Sequence, residues 1–240
     1  EKLLNIINMN LILGDGLLGT PVIGSSGWAY VSRKEGGFDI NKKATWKNNI
    51  PKSTTTIINL IANTDTYSSD AFGMFNTNYR GVVDLVEYCN NNNIKLVHFS
   101  TDYVYENSRT CAKETNKAKP TTAYAVSKLL ADEYIMKHSN EYLILRGAQK
   151  IDPFPYDKAF TNIHGNFDYA DVIADIVIDM VKSGAEGLYN IGTDKKSMFD
   201  LAKQSKPDVL EAIAPDHFPK DVTMDLSKMK KHLKECQEQE

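Results

Sequence analysis

Asn10-Leu-Ile-Leu13 runs straight into Gly14-Asp-Gly16-Leu-Leu-Gly19, and this junction decides the fold. A short apolar run, which can reach back to Leu3, ends on three glycines in the pattern GxGxxG. Glycine permits a tight turn after a strand and lets backbone N–H groups close on a pyrophosphate at a helix start. Gly14, Gly16, Leu17, Leu18 and Gly19 therefore form a candidate phosphate loop. The competing reading is a plain glycine turn, and the elements around it must separate the two.

Those elements alternate. Trp28-Ala-Tyr-Val-Ser32 reads as a second strand. Thr55-Thr-Ile-Ile-Asn-Leu-Ile-Ala62 reads as a third, apolar enough to be buried on both faces. Residues 72–90 carry helical periodicity through Phe75, Val82, Val83, Leu85 and Val86. Ile94-Lys-Leu-Val-His-Phe-Ser100 is another strand, residues 122–138 a long helix, and Tyr142-Leu-Ile-Leu-Arg146 a further strand. This alternation predicts an α/β fold with a parallel, doubly wound, Rossmann-like sheet. The first helix is expected at about 17–24, with Pro21 near its start, where proline is tolerated.

Beyond Gly147 the chain is less regular, with Pro153 and Pro155. Residues 168–183 read as an amphipathic helix and Gly187-Leu-Tyr-Asn-Ile-Gly192 as a final strand. The tail, 197–235, reads as helical and polar, broken at Pro207, Pro215 and Pro219. The asparagines from Asn90 to Asn93 suit a solvated helix end. The expected division is a dinucleotide-binding Rossmann domain over 9–148 and a small C-terminal substrate-binding lobe over 149–240, with 168–192 packing back on the sheet. Residues 1–8 read as a leader or an added remnant.

Composition excludes several classes. Of 240 residues, 42% are hydrophobic and 25% charged, and the net charge is -3. No strong basic field is present to hold nucleic acid or an anionic membrane. Mean hydropathy is -0.39, and no apolar run approaches the roughly 18 residues of a membrane span. Cys89, Cys111 and Cys236 are widely spaced, which fits a reducing, cytoplasmic setting. The five histidines form no metal-ligand spacing.

The chemistry begins at Tyr124-Ala-Val-Ser-Lys128. On a helix, residues four apart share a face. An ammonium beside a phenol favours the phenolate and lowers a pKa normally near ~10. A phenol tuned in this way exchanges protons near neutral pH. Thr101, at the end of the preceding strand, would hydrogen-bond the same substrate oxygen. This is the arrangement needed to reduce a carbonyl, or oxidise an alcohol, with a nicotinamide. After the second strand, Ser32, Arg33 and Lys34 replace the acidic residue that selects NAD, and two cations with a hydroxyl favour the 2′-phosphate of NADP(H).

With these pieces placed, the chain resembles the dTDP-4-dehydrorhamnose reductase family of the extended short-chain dehydrogenase/reductase superfamily. The resemblance runs from about residue 10 to 233. It is most specific in Phe99-Ser-Thr-Asp-Tyr-Val-Tyr105 followed by YAVSK. It implies Thr101, Tyr124 and Lys128 as the catalytic trio, with Tyr124 protonating the C4 oxyanion and Lys128 holding the nicotinamide ribose. It implies Asp39 and Ile40 near the adenine, Ala62, Asn63 and Thr64 along the cofactor, and Asn78 supporting its nicotinamide side. Asp102 and Tyr103 would face a nucleotide-sugar substrate. A homodimer held through helices is also implied.

Two departures stand out. The glycine turn is one residue shorter than the family's. The stretch between Arg146 and Asp168 is shorter by about one helix, implying a reduced sugar pocket or omitted residues. The expected function is NADPH-dependent reduction of a dTDP- or UDP-linked 4-keto-6-deoxy-hexose at C4, leading to nucleotide-linked rhamnose. A bifunctional 3,5-epimerase/4-reductase, with Cys111 the nearby thiol, is one alternative. A non-catalytic NADP-binding regulatory subunit is another. A dehydratase would carry an acidic pair beside the threonine, where this chain has Asp102 followed by Tyr103.

Overall fold

The computed structural model describes residues 9–66, 69–106 and 110–238. The expected start at Leu3 and the leader over 1–8 lie outside the described residues.

Strand β1 (Met9–Leu13) passes through the glycine turn into helix α1 (Gly19–Ser26) and strand β2 (Ala29–Val31). A short helix, α2 (Trp46–Asn49), precedes β3 (Thr54–Asn59). Then α3 (Ala71–Phe75), a π-helical turn (Asn76–Arg80) and α4 (Gly81–Asn92) follow one another without a break. Strand β4 (Lys95–Thr101) ends in a tight 3-10 turn, Asp102–Tyr105. Helix α5 (Ala123–His138) returns the chain to β5 (Tyr142–Gly147). Short strands β6 (Gln149–Lys150), β7 (Lys158–Phe160), β8 (His164–Gly165) and β9 (Asp168–Tyr169) lead to α6 (Ala170–Lys182) and β10 (Gly187–Asn190). The chain finishes with β11 (Lys196–Ser197), α7 (Met198–Ser205), β12 (Leu210–Ala212) and α8 (Ser227–Gln237).

Six strands make one parallel sheet in the order β10-β5-β4-β3-β1-β2. Alternate side chains of each strand feed opposite faces. Ile12, Ile58, Val97, Leu143 and Leu145 pack with Val22 of α1 and with Ile173, Ala174 and Val177 of α6. Leu11, Leu13, Ile57, Leu96 and Ile144 pack on the other face with Val82, Leu85 and Val86 of α4 and Ile135 of α5. Helices on both faces make the fold the expected doubly wound α/β sheet, and its reversal point lies between β1 and β3. Ligands of such sheets bind outside the carboxyl ends of the strands at that point.

The first helix begins two residues later than expected. Pro21 still falls in its first turn, where no intrahelical N–H is lost. Residues 168–169 form a strand, so the amphipathic helix starts at Ala170. The tail departs most from its helical reading: α7 stops at Ser205, ahead of Pro207, and β12 pairs in parallel with β7. Two small apolar clusters gather away from the sheet, one around Ile163, Phe167, Tyr169 and Leu201, the other around Phe154, Ala159, Ala202 and Val209. Met224, Leu226 and Met229 join the main core. Between Gly147 and Asp168 the chain forms only two- and three-residue strands.

Candidate active site

Two cavities open along the carboxyl ends of the strands, and they share a wall at Gly16, Leu60, Ala62 and Thr64. The wider one, about 550 Å³, follows the glycine turn, the end of β2 and the loop after β3. The narrower one, about 320 Å³, lies over the ends of β4 and β5 beside α5.

The turn is built as its glycines require. Gly14 sits at φ +102°, a conformation that side chains strain to adopt, and its N–H donates to the Val31 carbonyl at 2.9 Å. A Cβ on Gly19 would stand 2.1 Å from the Gly14 carbonyl oxygen. A Cβ on Gly16 would meet no protein atom within 4 Å and would project into the shared cavity wall. That combination is a cradle for a group that approaches the backbone closely. Leu17 and Leu18 line the narrow cavity, Leu17 exposed and Leu18 buried.

Ser32, Arg33, Lys34, Asp39, Ile40, Ala62, Asn63 and Thr64 all line the wide cavity. Arg33 and Lys34 are exposed at its mouth. Ser32 is buried, and its Oγ accepts the N–H groups of Lys34 at 3.1 Å and Glu35 at 2.9 Å. The hydroxyl therefore first holds the turn that presents the two cations.

Asn78 is placed differently. It is fully buried in the π-helical turn and lines neither cavity. Its Oδ1 accepts from Asn63 N at 2.8 Å, and its Nδ2 donates to Asn63 O at 2.9 Å and Ser127 Oγ at 3.1 Å. It ties the loop after β3 to α5 and acts on the cavity only through them.

Thr101, Asp102, Tyr103, Tyr124 and Lys128 all reach the narrow cavity. The 3-10 turn after β4 turns Thr101 and Asp102 together: Thr101 Oγ1 donates to Asp102 Oδ1 at 3.2 Å and accepts from Tyr103 N at 3.2 Å. Thr122 caps α5, accepting from Ala125 N at 3.1 Å, and so fixes where Tyr124 emerges. The Tyr124 hydroxyl is pushed up to about 12 by burial, opposed by the neighbouring Thr101 hydroxyl, with Asp102 and Asp132 adding to the rise.

That corrects the expected tuning. Lys128 shares the helical face, yet its Nζ is turned down to the Phe99 carbonyl at 2.7 Å and His98 Nε2 at 3.1 Å. Burial is the force on the phenol, and burial also lowers Lys128 to about 8.

Sequence reasoning passed over Gln149 and Lys150, which follow β5 and line the same cavity. Burial lowers Lys150 and raises the fully buried Asp102 to about 6, while the attraction between the two opposes both shifts. Lys150 Nζ also lies 5.3 Å from the Phe167 ring centre. Their position just past the end of a central strand was the available signal. Cys111 lies elsewhere, exposed, with its N–H on Thr223 Oγ1 at 2.9 Å, and lines neither cavity. Among the described residues no helix is long and apolar enough to cross a membrane.

The doubly wound sheet, the glycine turn at its reversal point and the Tyr–Lys helix beside it define a Rossmann-like fold of the short-chain dehydrogenase/reductase type. The chain belongs to the RmlD substrate binding domain family, which it matches over residues 9–151. It is 27% identical over 135 residues to the dTDP-4-dehydrorhamnose reductase of Aggregatibacter actinomycetemcomitans, a match covering 52% of this chain and 46% of that protein. It is 29% identical over 136 residues to the dTDP-D-glucose 4,6-dehydratase of Bos taurus, covering 46% and 38%. The chain thus spans less than half the length of these curated relatives.

Among solved structures, a hypothetical dTDP-4-dehydrorhamnose reductase from Sulfolobus tokodaii superposes with a TM-score of 0.77 at 22% identity, covering 93% of this chain and 94% of that one. The dTDP-4-dehydrorhamnose reductase of Bacillus anthracis in complex with NADP gives 0.78 at 16%, covering 98% and 99%. At these identities the likeness speaks for the fold.

Proposed function

We propose that the protein is an NADPH-dependent reductase that converts a dTDP- or UDP-linked 4-keto-6-deoxy-hexose to the 4-hydroxy sugar. One observation carries this reading. Thr101, Tyr124 and Lys128 meet in a cavity that shares a wall with a glycine-lined groove fitted to a dinucleotide. The family and the reductase relatives agree with it.

NADPH would supply the hydride. Gly14, Gly16 and Gly19 would hold its pyrophosphate against the turn, Arg33 and Lys34 its 2′-phosphate, and Asp39 and Ile40 its adenine side. Ala62, Asn63 and Thr64 would line its path toward the narrow cavity. Asn78 steadies that path through Asn63 and Ser127. A sugar carbonyl seated at Thr101 would receive a hydrogen bond there and a proton from Tyr124. A phenol raised to about 12 remains protonated through neutral pH, the state a reduction needs. Asp102, Tyr103, Gln149 and Lys150 would contact the sugar, within a substrate lobe built on the two small clusters beyond β5. The alternatives gain less support: Cys111 is outside both cavities, and Tyr103 stands where a dehydratase needs a second acid.

Purified protein given dTDP- and UDP-linked 4-keto-6-deoxy-glucose, with NADPH or NADH, tests this through nicotinamide absorbance and NMR of the product. NADPH oxidation with one nucleotide preferred is expected. Binding of NADPH without any turnover would transfer the protein to the regulatory reading. A rhamnose-configured product formed without an added epimerase would make it bifunctional.

A further inference from the structure

Beneath the narrow cavity, three buried polar side chains from three neighbouring elements form a line that the proton transfer above leaves unexplained. Asn59 ends β3, His98 lies on β4 and Lys128 on α5, and each is 0 to 1% exposed. Asn59 and His98 are directly opposed in the parallel pairing of the two strands. Asn59 Nδ2 lies 3.1 Å from His98 Nδ1, and His98 Nε2 lies 3.1 Å from Lys128 Nζ. Lys128 Nζ also donates to the Phe99 carbonyl at 2.7 Å.

Donors and acceptors along this line can be assigned from its far end. A backbone N–H only donates, and that of Ile61 reaches Asn59 Oδ1 at 3.2 Å. With its oxygen taken, the Asn59 amide turns its NH₂ toward His98. Nδ1 of His98 must then accept, so the neutral ring carries its proton on Nε2. That N–H points at Lys128 Nζ, and only an uncharged amine has a lone pair to receive it. A protonated Lys128 has donors alone. It fits there only if His98 moves its proton to Nδ1 and Asn59 turns its amide over, which leaves the Ile61 N–H facing an NH₂.

We propose that His98 is a positioning residue that, backed by Asn59, holds Lys128 as a hydrogen-bond acceptor, so that protonating the lysine requires ring and amide to invert together. The inversion releases the Ile61 N–H. Ile61 lines the wide cavity, and its side chain would lie 2.9 Å from a Cβ on Gly14. The protonation of Lys128 is therefore tied to the floor of the glycine cradle. Its consequence for turnover rests on the reductase reading, but the hydrogen-bond assignment does not.

The surroundings agree with the direction. Burial holds His98 well below its ordinary value, with Lys128 adding to the effect. Burial lowers Lys128, and the tautomer constraint acts the same way. Asp132, one turn along α5, favours the ammonium, but its Oδ2 is already bound by Arg146 Nε at 2.9 Å and Ser100 Oγ at 2.9 Å. From the cavity side the titratable neighbours are Tyr124, Asp102 and Lys150.

The test is NMR of the full chain without added dinucleotide. Nitrogen-15 spectra of the imidazoles should show His98 passing from the Nδ1–H to the Nε2–H tautomer as pH rises through the Lys128 midpoint. The Lys128 ε-carbon should titrate at least about two units below an ordinary lysine. Asn59→Asp offers an acceptor to both Ile61 N–H and His98 Nδ1–H, so it should invert the tautomer and move the Lys128 midpoint upward by a unit or more. A wild-type His98 that stays protonated on Nδ1 above the Lys128 midpoint, or a Lys128 that titrates with the surface lysines, would overturn the proposal. So would an Asn59→Asp protein in which neither signal moves. Should that variant not fold, the wild-type tautomer decides alone. Since neither substrate nor nicotinamide enters the experiment, a protein that fails as a reductase would leave these signals unaffected.

Discussion

The two cavities share a wall and are made of different materials. The wide one is backbone and surface: a glycine turn, loop amides and two exposed cations at its mouth. The narrow one is lined by the buried Asp102 and Lys128 and the half-buried Tyr124 and Lys150, over the ends of β4 and β5 beside α5. Exposed charge acts through high dielectric and is screened, whereas buried groups are displaced far from their ordinary pKa values. Tyr124, Lys128, Asp102 and Lys150 are all shifted, with burial the largest cause in each. Contacts in the wide region should grade affinity, while contacts in the narrow one should decide rate and carry a cost in stability.

The sharpest break of that contrast is Tyr124→Phe. Loss of a positioned general acid should cut turnover by about 10²–10⁴-fold, with dinucleotide binding kept, as read by stopped-flow turnover and fluorescence titration. Wild-type turnover in that variant would remove the proposed mechanism. Gly19→Ala attacks the wide region where it is least adaptable, since the new Cβ would meet a backbone oxygen at 2.1 Å. Thermal unfolding should show a loss of about 3 kcal/mol, together with loss of dinucleotide binding.

Asp102→Asn tests the stability cost. The folded carboxyl is raised from 3.8 to about 6, so the folded state binds more protons than the unfolded one between those values. Stability then falls as pH rises through that window, and the full penalty stands above it. The variant should therefore be more stable at pH 7, by about 3 kcal/mol, the attraction to Lys150 being already contained in the raised value. The difference should vanish near pH 4, as denaturant titration at the two pH values would show. Arg33→Ala should give the smallest effect, a drop in NADPH-over-NADH preference of about tenfold, or 1.4 kcal/mol, and should matter less as salt is raised. An unchanged preference would unseat the 2′-phosphate role of Arg33.

Much of the sheet could be read along the chain, because strands buried on both faces write themselves as apolar runs. Thr55 to Ala62 and Ile94 to Ser100 became β3 and β4 with boundaries shifted by one to three residues. The helix over 72–90 is equally legible, but its π-helical turn is not, since a single wide turn leaves the apolar positions on either side of it in place along the chain and marks itself by no residue type. That turn is what carries Asn78 inward to Asn63 and Ser127. The tail over 197–235 reads as helical with breaks at Pro207, Pro215 and Pro219, and α7 and α8 do form at its two ends, but a strand lies between them. That strand, Leu210–Ala212, is largely exposed and pairs with β7, some fifty residues earlier, a partner that no local pattern announces.

At the site, the residue types and their order were local information: glycines after a strand, cations after the next, a threonine at a strand end, Tyr124 and Lys128 four apart on one helix. These determined the fold class and the candidate machinery, because period, turn chemistry and helical spacing act over a few residues. Only the tertiary structure decided what each group faces. It left Tyr124 half-buried and Lys128 fully buried at one cavity, turned the lysine onto Phe99 and His98, and set Lys150 against Asp102. Desolvation depends on everything packed around a side chain and a hydrogen bond on which partner arrives, and both are settled by segments distant in the chain.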